Sequence, residues 1–317
     1  MAPNAQPLVT CVVLNSNRRE DTLQCLASIE ASTYRPVASI VLDCHSTDGS
    51  VEAVNARFPD AHVIELAENR GYAGNNNVGI RAALHMGAAW VFVLNEDTIL
   101  APDCIEQLIG VGQSRPGIGI VGPLVYHADE PTVIQTAGGR LNSRWEGWHL
   151  GANEPDEGQY SDVRPVEWIS GCGILVRREA IEAVGVLDER FFIYWEETEW
   201  CVRARLAGWD ILNAPSARLW HKGVQRDYRP KPTVTYYLTR NRLLMLSTHH
   251  APWSAWVTAW AQLLRTLVSW SVRPKWRAQH AHRDAMARGI ADFVRGRLGP
   301  MPPRPAAAAH SHPSAQA

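Results

Sequence analysis

Apolar residues recur along the first part of the chain in two alternating rhythms. Residues 9–14 form a short β-branched run, and residues 19–31 carry Leu23, Leu26 and Ile29 at helical spacing. Residues 37–42 give a second strand. Asp48-Gly49-Ser50 then marks a turn, with Ser50 placed to cap a helix carrying Val51, Val54 and Phe58. Residues 62–66 read as a third strand, 73–86 as a helix with Val78, Ile80, Ala83 and Leu84, and 90–94 as a fourth, buried strand. Pro102 suits the first turn of a helix carrying Ile105, Leu108 and Ile109. Strands separated by helices of this length imply βαβ units and a mostly parallel α/β sheet.

Residues 126–165 break the rhythm. They mix Gly, Pro, Asn and acidic residues with Trp145 and Trp148, and read as loops or a hairpin over a site. Regularity returns with a strand at 168–177, a short helix at 178–184, a helix at 196–207, and strands at 209–212 and 217–220. From 232 to 297 the pattern is helical, and residues 300–317 are rich in Pro, Ala, Ser and His, which predicts a disordered tail. The expected organisation is a catalytic domain over 1–231, a helical extension over 232–299, and the tail.

Composition narrows the function classes. The 317 residues are 46% hydrophobic and 20% charged, enough for a substantial core and against wholesale disorder. A formal net charge of −1 gives no pointer to nucleic acid. Charge is uneven, however: residues 265–297 carry a net +6, leaving −7 for the rest. None of the six cysteines forms a CxxC pair, so the usual zinc and thioredoxin patterns are absent, and a reducing, cytoplasmic setting is expected. The first residues carry no basic segment and only a short apolar run, so they do not read as a signal peptide. Residues 253–272 hold Gln262 and Arg265 near their middle, which argues against a membrane-spanning helix. They read instead as an amphipathic helix, with Trp253, Trp256, Trp260, Leu264 and Leu267 on one face. That face suits packing on the catalytic domain, a second copy in an oligomer, or peripheral contact with an anionic membrane.

In a parallel α/β sheet, ligands bind beyond the carboxyl ends of the strands. Three polar clusters stand at such ends: Asn15-Ser16-Asn17, then Asp43 through Gly49, then Asn95-Glu96-Asp97-Thr98. Each alone is ordinary turn chemistry, but all three share one sheet edge. No GxGxxG follows the first strand and no GxxxxGK[ST] occurs, which disfavours a dinucleotide fold and excludes a P-loop.

Here the sequence resembles the inverting, GT-A-fold family 2 glycosyltransferases. Asp43 with Ser46-Thr47-Asp48-Gly49-Ser50 is similar to their D-x-x-S-T-D-G-S segment, and Glu68 through Gly79 to their E-N-x-G-(F/Y)-A-G-x-N-x-G element. Leu94-Asn95-Glu96-Asp97-Thr98 stands at the acidic metal motif, and Ser170 through Arg178 resembles the stretch before the acceptor region. Leu187 through Glu199 resembles the F-D-E-x-F-F-x-Y-x-E-D-x-D signature, and Ala217 through Gly223 the later histidine motif. The match runs in order over about residues 8–245, closest to the rhamnosyltransferase-like branch that builds bacterial surface polysaccharides.

The resemblance implies transfer of a sugar from a UDP- or dTDP-sugar, dTDP-rhamnose among them, to a hydroxyl of a glycan, lipid-linked glycan or small molecule. Donor-side residues would be Asn15, Asp43, Asn69, Gly74, Asn77, Asn95 and Asp97, with Asp43 accepting from the pyrimidine N–H. Asp97 and His221 would hold Mg²⁺ or Mn²⁺ on the diphosphate, the imidazole nitrogen favouring Mn²⁺. Glu197 stands at the catalytic carboxylate as general base, with Glu196 its rival. Tyr194, Trp195 and Glu199 would face the acceptor, and Tyr236, Tyr237, Arg240 and Asn241 also fall on that side. The sequence departs from the pattern in carrying Glu197 for Asp, Asn95 at the head of the metal motif, and Cys44-His45 after Asp43. The rivals are a nucleotidyltransferase, which would show glycines after the first strand, and a non-catalytic glycan-binding module.

Overall fold

The computed structural model describes residues 6–223 and 229–303. In chain order its elements are β1 (Val9–Asn15), α1 (Arg19–Glu30), β2 (Val37–Asp43), α2 (Ser50–Arg57), β3 (His62–Glu65), α3 (Gly71–His85), β4 (Trp90–Asn95), β5 (Thr98–Leu100) and α4 (Cys104–Gln113). Then follow β6 (Ile118–His127), β7 (Ile134–Thr136), β8 (Gly139–Leu141), β9 (Gly147–His149), β10 (Arg164–Pro165), β11 (Gly173–Arg177), α5 (Arg178–Val184), α6 (Glu196–Leu206) and β12 (Asp210–His221). The chain continues into α7 (Pro232–Thr248), α8 (Trp253–Val272) and α9 (His280–Val294). Residues 304–317, most of the expected tail, lie outside the described residues.

Helices cover both faces of one sheet. Alternate residues of β1 serve opposite layers, as strand geometry requires. Val9, Cys11 and Val13 share a core with Cys25, Leu26 and Ile29 of α1 and with Ile105 and Leu108 of α4. Val12 joins Ile80 and Ala83 of α3 on the other face. The strand order is β10-β12-β6-β11-β4-β1-β2-β3. Pairing is parallel among β1, β2, β3 and β4, as the alternating rhythm predicts, and again between β6 and β12. It is antiparallel where β11 joins β4 and β6, so the sheet is mixed rather than mostly parallel.

Several boundaries differ from the sequence reading. The strand expected from 168 begins only at Gly173. The two strands expected at 209–212 and 217–220 are one, with a register break between Ala214 and Arg218. Gly49, with φ +78°, takes the cap position expected of Ser50. Pro102 precedes α4 rather than entering it. Among the described residues no helix is long and apolar enough to cross a membrane.

The C-terminal helices share their own core, where Leu243, Leu263 and Met286 meet. They are also fastened to the sheet-bearing part: Leu244 and Met245 pack with Phe191 and Val202. This fastening corrects the acceptor role suggested for Tyr236, Arg240 and Asn241, which are fully buried. Arg240 donates to the Phe191 carbonyl at 2.9 Å, and Asn241 Nδ2 lies 2.8 Å from each of the Phe191, Ile193 and Tyr194 carbonyls. That clamp holds a turn in which Phe192, Tyr194 and Trp195 all have positive φ, between 67° and 77°, a conformation non-glycine residues rarely adopt. Replacing Asn241 with Leu removes the donor to the Ile193 and Tyr194 carbonyls and leaves Phe191 to Arg240 and the Ile193 N–H. The expected loss is about 3 kcal/mol, read as a lower urea midpoint with an unchanged slope.

Candidate active site

The clamped turn delivers α6 with two carboxylates in its first residues. Glu196 is buried, and Glu197 is half-buried. One oxygen of each, Oε2, is buried without a hydrogen-bond partner. Both side chains line the same cavity, which also takes in Arg18, Tyr72, Asn95, Asp97, Gln135 and His221. Glu197 alone of the pair also borders a second groove, walled by Trp148, His149, Trp168, Tyr194, Trp195 and Leu238. Glu197 thus stands where the two spaces meet, which suits a group serving both donor and acceptor.

Burial sets the protonation of the pair. It pushes the Glu197 carboxyl up to about 7. Glu196 lies well above its ordinary value, through burial first and the neighbouring Glu197 second. A carboxyl raised by folding keeps its proton in the folded chain while the unfolded chain loses it, so stability falls as pH rises from the ordinary value toward the folded one. Gln mimics the protonated acid. Glu196→Gln therefore raises the thermal midpoint more at pH 8 than at pH 5, and scans of both proteins at the two pH values check this.

The other wall is built by strand pairing. β5 runs antiparallel to the end of β12 with Thr98 opposite His221, and the two-residue turn before β5 carries Asp97. His221 Nε2 therefore lies 3.1 Å from Asp97 Oδ1 and 3.3 Å from Asn95 Nδ2. Gln135 Oε1 faces His221 Nδ1 at 3.0 Å, so a ring proton on Nδ1 is satisfied there and the Nε2 lone pair then faces Asn95 and Asp97. Asp97 Oδ1 is itself buried without a hydrogen-bond partner. Two electron-rich atoms facing each other suit a shared cation. Gly223 keeps the space open, since a Cβ there would lie 2.6 Å from Asp97 Oδ2 and 3.1 Å from His221 Nε2. Among the described residues no cluster of three His, Cys, Asp or Glu side chains could hold a metal alone. The two-donor set fits a divalent ion that would take its remaining oxygen ligands from substrate and water.

Asn15 and Asp43 end adjacent strands, and Asn15 Nδ2 donates to Asp43 Oδ1 at 2.7 Å. The Ser46 N–H donates to Asp43 Oδ2 at 3.0 Å, so the carboxylate is held rigidly at the sheet edge with lone pairs to spare. Asn15, Asp43, Asn69, Gly74 and Asn77 do not line the main cavity. Asn69 Oδ1 accepts from the Gly71 and Asn75 nitrogens at the start of α3. Asn77 is fully buried with its amide closed onto both backbone groups of Leu187, which corrects its donor-binding assignment. Gly71 has φ +74° and sits so close to Phe192 that a Cβ would lie 2.3 Å from its carbonyl. This motif therefore supports the turn before α6. Glu199 is likewise corrected: it is buried against Arg203 at 2.8 Å and His249 at 3.3 Å, away from the acceptor side.

Four cavity residues that the sequence reading gave no role bear on its chemistry. Arg18 brings a guanidinium toward Asp97 and Glu96, whose charges raise its pKa after the larger effect of its Asp21 hydrogen bond. Tyr72 donates to the Gly171 carbonyl at 2.5 Å. Gln135 orients His221, and His149 stacks edge-on against Trp168 with centroids 4.6 Å apart. Gln135 and His149 lie in the irregular stretch expected to cover a site, and that expectation was the only signal available for them.

A family model described as "Glycosyl transferase family 2" matches residues 10–185. The chain is 29% identical over 248 residues to an N-acetylglucosaminyl-diphospho-decaprenol L-rhamnosyltransferase of Mycobacterium tuberculosis, covering 72% of this chain and 80% of that one. It is 27% identical to a dTDP-rhamnosyl transferase of Shigella flexneri, covering 67% and 72%. Its fold is similar to that of a mannosyltransferase from Pyrobaculum calidifontis solved with GDP-Man and Mn²⁺, with TM-score 0.58, 17% identity, and 92% and 88% of the two chains covered.

Proposed function

We propose, since this chain belongs to glycosyl transferase family 2, that it transfers a deoxyhexose or hexose from a dTDP- or UDP-sugar to a hydroxyl of a lipid-linked glycan, with inversion. The observation that carries this reading is the shared cavity. An unpartnered carboxylate at about pKa 7 and a buried Asp97–His221 pair open onto one space.

Asp43 and Asn15 would receive the pyrimidine and ribose at the sheet edge. Asp97 and His221 would hold Mn²⁺ or Mg²⁺, which when bound supplies positive charge for the leaving diphosphate. Arg18 would add a second positive group on the same side. The acceptor would lie in the groove between Tyr194, Trp195, Trp148 and Trp168, whose rings suit sugar faces. Glu197 would take the proton from its hydroxyl as oxygen attacks the anomeric carbon, and the carbon–phosphate oxygen bond breaks on the opposite side. Glu196, kept neutral by burial, would remain a bystander to that proton transfer.

Support for a rhamnosyl donor and a polyprenyl-linked acceptor comes from the names of the relatives. The unit spanning residues 1–231 would carry the chemistry, with the C-terminal helices fixing its acceptor wall and a cytoplasmic membrane face as the working location.

A panel of dTDP- and UDP-sugars incubated with Mn²⁺ tests the reading. The expected result is metal-dependent release of a nucleoside diphosphate with at least one donor. Release of pyrophosphate or a nucleotidyl product would point to a nucleotidyltransferase. Tight donor binding without any turnover, acceptor or water alike, would point to a binding module.

A further inference from the structure

The sequence places the apolar face of α8 on Trp253, Trp256, Trp260, Leu264 and Leu267. The structure divides that set. Ala255, Ala259 and Leu263 are buried, and Trp256, Leu267 and Trp270 pack partly against α7 and α9. A second apolar stripe faces outward instead: Trp253, Val257, Trp260, Leu264, Val268 and Val272 are all exposed, Trp253 by 78% and Leu264 by 63%. At 100° per residue these six positions span about one third of the helix circumference. Six large apolar side chains over five helical turns form a contiguous patch of the kind that marks an interaction surface.

Charge indicates what covers it. Residues 253–279 contain no Asp or Glu, and their four basic residues, Arg265, Arg273, Lys275 and Arg277, are all exposed. Three of them follow the stripe directly, in the turn Pro274–Gln279 and just before it, with Lys275 Nζ 5.0 Å from the Trp276 ring. An apolar stripe with Trp at its edge and an unopposed basic end complements an anionic lipid surface: acyl chains for the stripe, headgroups for the cations. A second copy of this chain would bring four more cations to four, without an acidic partner on the same element.

We infer that α8 lies in the plane of an anionic membrane through its outward stripe, and that it thereby holds the acceptor groove against the lipid surface. The link to the groove is a hydrogen-bonded path. Gln262 of α8 donates to Glu146, which also accepts from Asn142 at 2.8 Å. Arg242 of α7 donates to Gln262 Oε1 at 2.7 Å. Glu146 closes the loop between β8 and β9, and the next three residues, Gly147, Trp148 and His149, wall the groove. Leu238, one turn before Arg242 on α7, completes that wall. The docking helix and the groove are therefore parts of one braced unit. This inference rests on the lipid-linked acceptor proposed above, because only a membrane-held acceptor gives the brace its use.

Sedimentation of the full chain with phosphatidylglycerol vesicles at low salt tests it, alongside the double variant Trp260→Glu, Leu264→Glu and the pair Lys275→Glu, Arg277→Glu. Binding should fall roughly tenfold or more in the stripe variant, since charges replace buried apolar area. It should weaken in the basic variant and in high salt. Transfer to a water-soluble acceptor should be unchanged in the stripe variant, because neither residue touches the cavities. No sedimentation of the unaltered protein at low salt overturns the inference. So does a dimer, seen by light scattering, that the stripe variant dissociates while vesicle binding persists. Either result leaves the glycosyl-transfer reading standing, which fails instead if no nucleotide-sugar is turned over with any acceptor.

Discussion

Glu197→Gln lowers single-turnover transfer by about 10²–10⁴-fold and leaves donor affinity near that of the unaltered protein. Gln has the size and shape of the acid but accepts no proton. The unaltered base must be ionised to act, and burial sets its pKa at about 7. Transfer by the unaltered protein should therefore rise with pH through about 7 along an acid limb, and that limb should vanish in the variant's residual rate. Glu197→Asp keeps a carboxylate one methylene shorter and should retain more activity than Gln. Glu196→Gln separates the neighbours: successive helical residues point about 100° apart, and only Glu197 borders the aromatic groove. Near-normal turnover is expected for it. A dead Glu196→Gln beside an active Glu197→Gln would move the base by one residue.

Asp97→Ala is expected to abolish the tightening of UDP or dTDP binding by Mn²⁺ and to lower turnover by about 10²-fold or more. The loss is twofold in origin. The variant removes one of two protein donors, and it takes from His221 the carboxylate that stands 3.1 Å from its Nε2. His221→Ala should weaken metal dependence less, since water can replace a neutral nitrogen more readily than a charged ligand. Titration calorimetry of nucleoside diphosphate with and without Mn²⁺ separates the cases. Undiminished metal dependence in Asp97→Ala would remove the assignment.

What could be read from the sequence follows the physics of its signals. The βαβ half was legible because β1, β2 and β4 are short buried runs separated by helices whose Leu, Ile and Val recur at helical spacing. β6 escaped notice although all ten of its residues are buried. Gly119, Gly122 and Pro123 break its apolar run with residues that ordinarily mark turns. The sheet accommodates them locally: Asn213 Nδ2 reaches the Gly122 and Pro123 carbonyls at 3.2 and 2.9 Å, and the pairing with β12 then jumps from Ala214 to Arg218.

The candidate site divides along the same line. Asp97, His221 and Glu197 were found through motif order, and their juxtaposition follows from pairings far apart in sequence. Asn77 and Glu199 sit in the same motifs, yet their side chains hold backbone and ion pairs rather than the cavity. A motif records that a residue type is needed and leaves open whether a ligand or the frame needs it. Asn241 shows the converse: a polar residue of α7, outside the quoted motifs and expected on the acceptor side, that holds three carbonyls of the strained turn.

Glu197 acting as base implies a single displacement at the anomeric carbon. The anomeric configuration of the first product, followed by proton NMR from the start of the reaction with a donor of known configuration, tests it most directly. A single displacement gives an inverted anomeric centre from the first turnover. Retention, which requires a covalent sugar on the enzyme or a same-face attack, would contradict it.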